Sequence, residues 1–274
     1  MGYLYQRDYL RQIQLPQLNQ LIGSDQSILS TIEATATEEA NSYLLQKYDT
    51  AYEFTDMQPW SYTAVYKAQR RFYLFAATYV PANNYVTNDI VEVNSKVYIL
   101  TANKTGPWNT NNTTLLGTQY DIFFAKPPQP VWDAETVYVI GNQVWWHDKV
   151  YTCLNPYTGI APDDPQAKPY WGNGTAYQTT ANTLPTNTTV FTQGDNRSQQ
   201  LVLYVVNIVL YYASKRIAPQ NIPANILLAY DNTVNWLIAA SGDNRGISAN
   251  IPRLQPKQGY RTRMGSIPRN VNNY

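Results

Sequence analysis

An internal repeat constrains this chain more than any other feature. YVTNDIVEVNSKVYILTANKTG at 85–106 aligns without gaps on YVIGNQVWWHDKVYTCLNPYTG at 138–159, and eight of 22 positions are identical. Self-similarity at one fixed spacing means one supersecondary unit built twice. Each copy alternates apolar and polar residues around a polar pair, Asn94–Ser95 or His147–Asp148, which reads as two strands joined by a tight turn. Each copy then reaches a proline and a tryptophan: Pro107–Trp108 in the first, Pro162 and Trp171 in the second. Two small β modules of one type are therefore expected, at about 79–110 and 130–175. They lie in a stretch, 55–190, where Pro, Gly, Asn and Thr are dense and aromatic or β-branched runs are short. Residues 62–78 are ambiguous between helix and strand and are read here as strand.

The flanks are helical in pattern. Tyr5, Tyr9, Leu10 and Ile13 recur about once per turn until Pro16, whose ring disfavours helix in the residue ahead of it. From Ser24 or Asp25 a second helix is expected to about Tyr48. Its inner stripe is Ile28, Leu29, Ile32, Ala36, Ala40, Tyr43 and Leu44, and Glu33, Thr37 and Glu38 lie on the outer face. A third helix carries Leu201, Val202, Val205, Val206, Val209, Leu210 and Ala213 and stops at Pro219. A fourth opens at Pro223 and stops at Gly242. Neither end has enough amphipathic helix to bury its stripe alone. The expected fold is α+β: a split α-helical bundle from 1–54 and 191–244, a large β-rich insertion at 55–190, and a C-terminal arm at 245–274.

Composition narrows the chemistry. Lys+Arg of 20 against Asp+Glu of 19 gives a net charge of +1, so bulk charge selects no polyanionic partner. One histidine and one cysteine leave no His/Cys metal cluster and no internal disulfide. His147 reads as a turn residue without a catalytic partner, and Cys153 as a small buried hydrophobe. Asp163–Asp164 and Glu38–Glu39 are adjacent charges rather than carboxylates facing across a cleft. No phosphate-binding loop is present. The chain is expected not to be an enzyme and to need no cofactor or metal. The N-terminus lacks the apolar core of a secretory leader, and LVLYVVNIVLYYA at 201–213 is too short to span a bilayer, so no membrane partner is expected.

Aromatic residues are the informative excess, with 24 Tyr and 7 Trp. Strand alternation puts Val144 and Trp146 on one face and Trp145 on the other, so one of the two rings must lie at an interface or in solvent. A flat ring stacks on the apolar face of a sugar, which makes Trp145 and Trp171 the candidate glycan platform. The arm holds Arg245, Arg253, Lys257, Arg261, Arg263 and Arg269, no acidic residue and three prolines. Such a segment cannot bury itself alone, and Ile251, Leu254, Tyr260, Met264 and Ile267 are its candidate apolar anchors on a partner.

Two resemblances follow. The opening YLYQRDYL, the helix ending YLLQKYD at 43–49, LVLYVVNIVLYYASKRI at 201–217, IPANILLAYDNTVNWLIAASG at 222–242 and IPRL at 251–254 resemble the head–tail adaptor proteins of tailed bacteriophages. That resemblance implies a helical domain repeated as a homo-oligomeric ring, usually of twelve copies, below the portal protein. It implies a virion location at the neck, further tail or neck proteins as partners, and contact with DNA in the channel. It also implies that Tyr43, Leu44, Tyr48, Tyr204, Tyr211, Tyr230 and Trp236 are core. The residues it implies for portal contact are Arg253, Leu254, Lys257, Tyr260, Arg261, Arg263, Met264 and Arg269. The insertion is similar to small chitin-binding-type carbohydrate modules, through Trp132, Tyr138, Gly141, Val144, Val150, Tyr151, Pro162 and Trp171. The first copy has Asn88 in place of the glycine. Recognition of chitin-like or cell-wall glycan is the alternative function.

Overall fold

A computed structural model describes residues 2–242, 247–251 and 253. The described residues form five α-helices and three small sheets, a mixed α+β structure. One turn, α1 (Gln6–Tyr9), precedes α2 (Leu15–Ile22) and α3 (Gln26–Leu44). Pro16 opens α2 rather than closing a helix, because its missing N–H falls among first-turn donors that have no intrahelical acceptor anyway. Asp25 caps α3, its carboxylate accepting from the Ser27 amide at 2.8 Å.

α3 buries Leu29, Glu33, Ala36, Ala40 and Leu44. Glu33, which the periodicity assigns to the outer face, stands in the middle of the inner one. Position 33 continues the row from Leu29, and the Tyr9 hydroxyl donates to its carboxylate at 2.5 Å. α4 (Gln199–Ile217) and α5 (Ala224–Ser241) complete the helical body. One core takes Tyr3, Ile22, Leu44 and Tyr48 from the first fifty residues, and Val205, Val209, Leu237 and Ala240 from beyond residue 200. Leu44 and Tyr48 are fully buried, whereas Tyr43, Tyr204, Tyr211, Tyr230 and Trp236 are half-buried around that core. Ala249 and Ile251 belong to the body as well. The Ala249 amide donates to the Tyr48 hydroxyl at 3.1 Å, and Ile251 packs on the core, so the arm begins later than residue 245.

The insertion leaves and returns through one buried ionic knot. Arg71 Nη1 donates to the Glu53 carbonyl and the Thr55 hydroxyl, both at 2.9 Å, and its Nε donates to Asn196 Oδ1. Glu53 accepts from the Tyr3 hydroxyl at 2.7 Å and the Ser198 amide at 2.9 Å. Arg197 bonds Asp8 at 2.8 and 3.1 Å, Asp195 at 2.8 to 3.2 Å, and the Tyr3 carbonyl at 2.8 Å. Residues 53–55 and 195–198 are thereby tied to the N-terminal segment. A long excursion can leave such a body without opening its core.

The strands before the second copy are β1 (Gln58–Pro59), β2 (Arg71–Tyr73), β3 (Ala77–Thr78), β4 (Ile90–Val93), β5 (Lys96–Leu100), β6 (Thr113–Thr118) and β7 (Ile122–Ala125). Those that follow are β8 (Gln143–Trp146), β9 (Lys149–Thr152), β10 (Thr175–Ala176) and β11 (Phe191–Gln193). A sheet of order β1-β2-β7-β11 stands at the root of the insertion. Only its β2 falls in a stretch the sequence reads as strand, because strands of two to four residues carry too little alternation to be recognised. Of 62–78, only β2 and β3 are strand. Phe72, Phe123 and Phe191 pack there, and their core continues into Val97 and Ile99 of the first repeat copy and Leu116 of β6.

The two copies share one strand order and register. β3 runs parallel to β4 through Thr78↔Glu92, and the equivalent bridge Val131↔Trp145 is also parallel. The hairpins β4–β5 and β8–β9 pair Val91 with Tyr98 and Val144 with Tyr151. β6 and β10 then add antiparallel on equivalent residues, through Lys96 and Lys149. The Tyr85 hydroxyl accepts from the Val80 amide at 2.9 Å, as the Tyr138 hydroxyl does from Asp133 at 2.8 Å. Asn94–Ser95 and His147–Asp148 all have positive φ, as a two-residue hairpin turn requires. Asn88 takes φ 74° where Gly141 has 87°, so asparagine performs the glycine's turn in the first copy.

Candidate functional site

The second copy meets the helical body through a charged junction. Its turn brings His147 between two carboxylates: Nδ1 lies 2.7 Å from Asp163 Oδ2 and Nε2 lies 3.3 Å from Asp49 Oδ2. Trp146 Nε1 donates to the other Asp163 oxygen at 2.9 Å. Hydrogen bonds to Asp163 and then to Asp49 push the imidazole pKa up to about 9, and His147 holds both carboxyls below their ordinary range. Next to it, Asp148 pairs with Lys67 at 3.1 Å and Arg70 at 3.8 Å. An imidazolium bonded at both nitrogens has no lone pair to accept a proton, and here it clamps Asp163 to Asp49.

Trp145 and Trp171, the candidate platform, are both buried, and each is accounted for differently. Trp145 faces out of its own module, but Tyr52 of the body covers it, with ring centroids 5.3 Å apart. Trp171 lies inside the module against Tyr138 at 5.2 Å, held by the Cys153↔Trp171 bridge. Neither offers a ring face to solvent in this arrangement. The platform reading fails on a contact that alternation cannot foresee: Tyr52 lies 93 residues before Trp145. A cavity of about 420 Å³ remains at this junction, walled by Tyr52, Trp132, Trp145 and Trp146 and reached by Arg253. The Trp145 indole N–H, buried at that junction, has no hydrogen-bond acceptor among the described residues. Cys153 is buried, and burial raises its thiol pKa, which suits a packing residue.

Comparison with known proteins finds no matching family model and no similar curated protein. The surface must therefore speak through its own chemistry. Arg253 forms an antiparallel bridge with Tyr48, which brings the start of the arm against the body. Leu254, Lys257, Tyr260, Arg261, Arg263, Met264, Ile267 and Arg269 lie outside the described residues. On α5, Leu227, Leu228 and Ile238 are exposed although the opposite side of the helix packs on the core. Among the described residues no helix is long and apolar enough to cross a membrane.

The His147 clamp predicts a pH response. Its pKa is raised on folding, so the stabilisation is complete below the ordinary histidine value of 6.5 and is lost as pH rises through about 9. His147 is 39% exposed, so each pair is worth at most about 1 kcal/mol after screening. Tryptophan emission should shift between pH 8 and 10 in the native protein as Trp145 separates from Tyr52. The shift should be absent from Asp163→Asn/Asp49→Asn, whose histidine has no charged partner to lose. An identical shift in both proteins would reject the clamp.

Proposed function

We propose that this protein is a structural component of a tailed-bacteriophage neck, whose helical body repeats as a ring between portal and tail and continues the DNA channel. The observation that carries the reading is the outer side of α5. Leu227, Leu228 and Ile238 are exposed aliphatics on the last described helix, whose opposite side packs on the core. A neighbouring copy is the cover that this reading gives them. Two further features fit. Both chain ends share one core, so the insertion can hang outside a ring without interrupting it. The basic C-terminal sequence follows Arg253, which bridges Tyr48 of the body, and in this reading it meets a portal surface with acidic patches. Glycan recognition through Trp145 and Trp171 is the less favoured reading, because both rings are covered.

Co-sedimentation with portal rings tests the arm. Because Ala249 and Ile251 pack in the body, truncation belongs after Arg253 rather than after Arg245. Full-length protein should bind portal at low and moderate salt, and the truncated form should lose that binding while staying folded. Equal binding by both would reject the arm as the portal contact. Binding to DNA alone, lost by moderate salt, would assign the segment to the channel DNA instead.

A further inference from the structure

The second module carries aliphatic residues that its fold does not require. Val137 and Val139 flank the buried Tyr138 and face away from it, since successive strand residues point to opposite sides. Ile140 and Leu154 flank the backbone bond between the Gly141 amide and the Cys153 carbonyl. All four are exposed, Ile140 at 67%. The first module builds the same strands and the same bonds with Asn84, Thr87 and Thr101 at three of these positions, and only Val86 is retained. Nothing in the shared architecture therefore calls for an aliphatic tip.

Elsewhere on the same chain lies a recess of matching character. A groove of about 460 Å³ runs between α2, the C-terminal half of α4 and the start of α5, floored by Ile13, Leu21, Leu210, Ile217 and Ile226. Its polar lining is mostly carboxamide, including Gln17, Asn207 and Asn225, and none of the described residues that line it is charged. Residues 137–142 and 153–157 hold no charged side chain either. Apolar side chains presented on a loop need an apolar floor, and the loop's peptide groups need uncharged donors and acceptors at the rim. Neither surface would have to strip water from an ion on contact.

We propose that the aliphatic tip of the second module of one copy seats in this groove of the next copy. The contact is heterologous, because two different patches meet, and repeated heterologous contacts close into a ring or run on as a filament. This rests on the ring reading and specifies one contact that would build it.

Sedimentation velocity at about 100 μM tests it, a concentration at which a contact smaller than the ~1,200 Å² of a standard interface is still populated. Ile140→Asp spoils the tip and Ile217→Asp spoils the groove, so that like charges meet where the two spoiled surfaces would touch. Both side chains are exposed, at 67% and 52%, so folding is spared, and circular dichroism checks it. Native protein should assemble, and each variant alone should sediment as a monomer. An equimolar mixture should form a dimer and nothing larger, because one intact tip then meets one intact groove. Variants that assemble like the native protein would overturn the docking while leaving a ring built by other faces. A mixture that stays monomeric would overturn it too. Native protein that forms only open chains, abolished by either variant, would uphold the docking and reject the closed ring.

Discussion

Arg197→Ala is expected to cost the helical body about 3–5 kcal/mol. Its side chain is 0% exposed, and it neutralises Asp8, which is 1% exposed, together with Asp195. Burial works against the charge, but the bonds to Asp195 and the adjacent Asp8 hold the guanidinium protonated beyond its ordinary range. The Tyr3 and Tyr5 rings lie 5.4 and 5.3 Å from Cζ and cover what the carboxylates leave open. Removing the cation leaves Asp8 buried and unpaired, which accounts for most of the cost. Arg197→Lys keeps the charge but loses the fork that serves two carboxylates, so it should recover only part of the stability. Urea unfolding followed by far-ultraviolet circular dichroism measures this. In an Asp8→Ala background the same Arg197→Ala change should cost much less. A loss below about 1 kcal/mol in the native background would mean that the knot is not what joins the chain ends.

Glu33→Gln should act in the opposite direction, and only above mildly acidic pH. Burial in the α3 stripe raises the carboxyl from 4.5 to about 7, and the Tyr9 hydroxyl bond offsets this only in part. Gly2 approaches so closely that a Cβ there would meet Oε2 at 2.6 Å. A carboxyl raised on folding favours the folded state while protonated. Its contribution is complete below 4.5 and is lost as pH rises through about 7. Integrated over that interval, the native protein should lose up to about 3 kcal/mol between pH 4 and 8. Glutamine still accepts the Tyr9 bond and has no charge to desolvate. The two proteins should therefore be of similar stability near pH 4, with the variant ahead by up to about 3 kcal/mol at pH 8. Parallel stability curves across this range would show that Glu33 is not desolvated in the folded state.

These two residues also mark the limit of what could be read from the sequence. Local rules located the hairpin turns at Asn94–Ser95 and His147–Asp148, the Asp25 cap, the stop at Gly242 and the kinship of the two modules, because each depends on residues close in the chain. The Arg197–Asp8 pair spans 189 residues and the Asp49–His147 contact spans 98. No periodicity links such partners. Glu33 was misplaced because hydrophobic pattern assigns a carboxylate to solvent unless a partner is known, and its partner Tyr9 lies in a different helix. Trp145 was read as a platform for the same reason. Alternation correctly turned it away from its own module, and only the fold supplies Tyr52 to cover it. Position 16 shows a different ambiguity, since proline both ends a helix and begins one, and the sequence offers both readings at once.

The central claim is that the helical body assembles copies of this chain into a closed ring. Its most direct test is the mass and shape of the purified full-length protein, by mass photometry and negative-stain imaging of one preparation. The account predicts a single closed species of about twelve subunits with a central opening, and the β insertions projecting from its outside. A monomer that persists as concentration is raised and portal rings are added would contradict it.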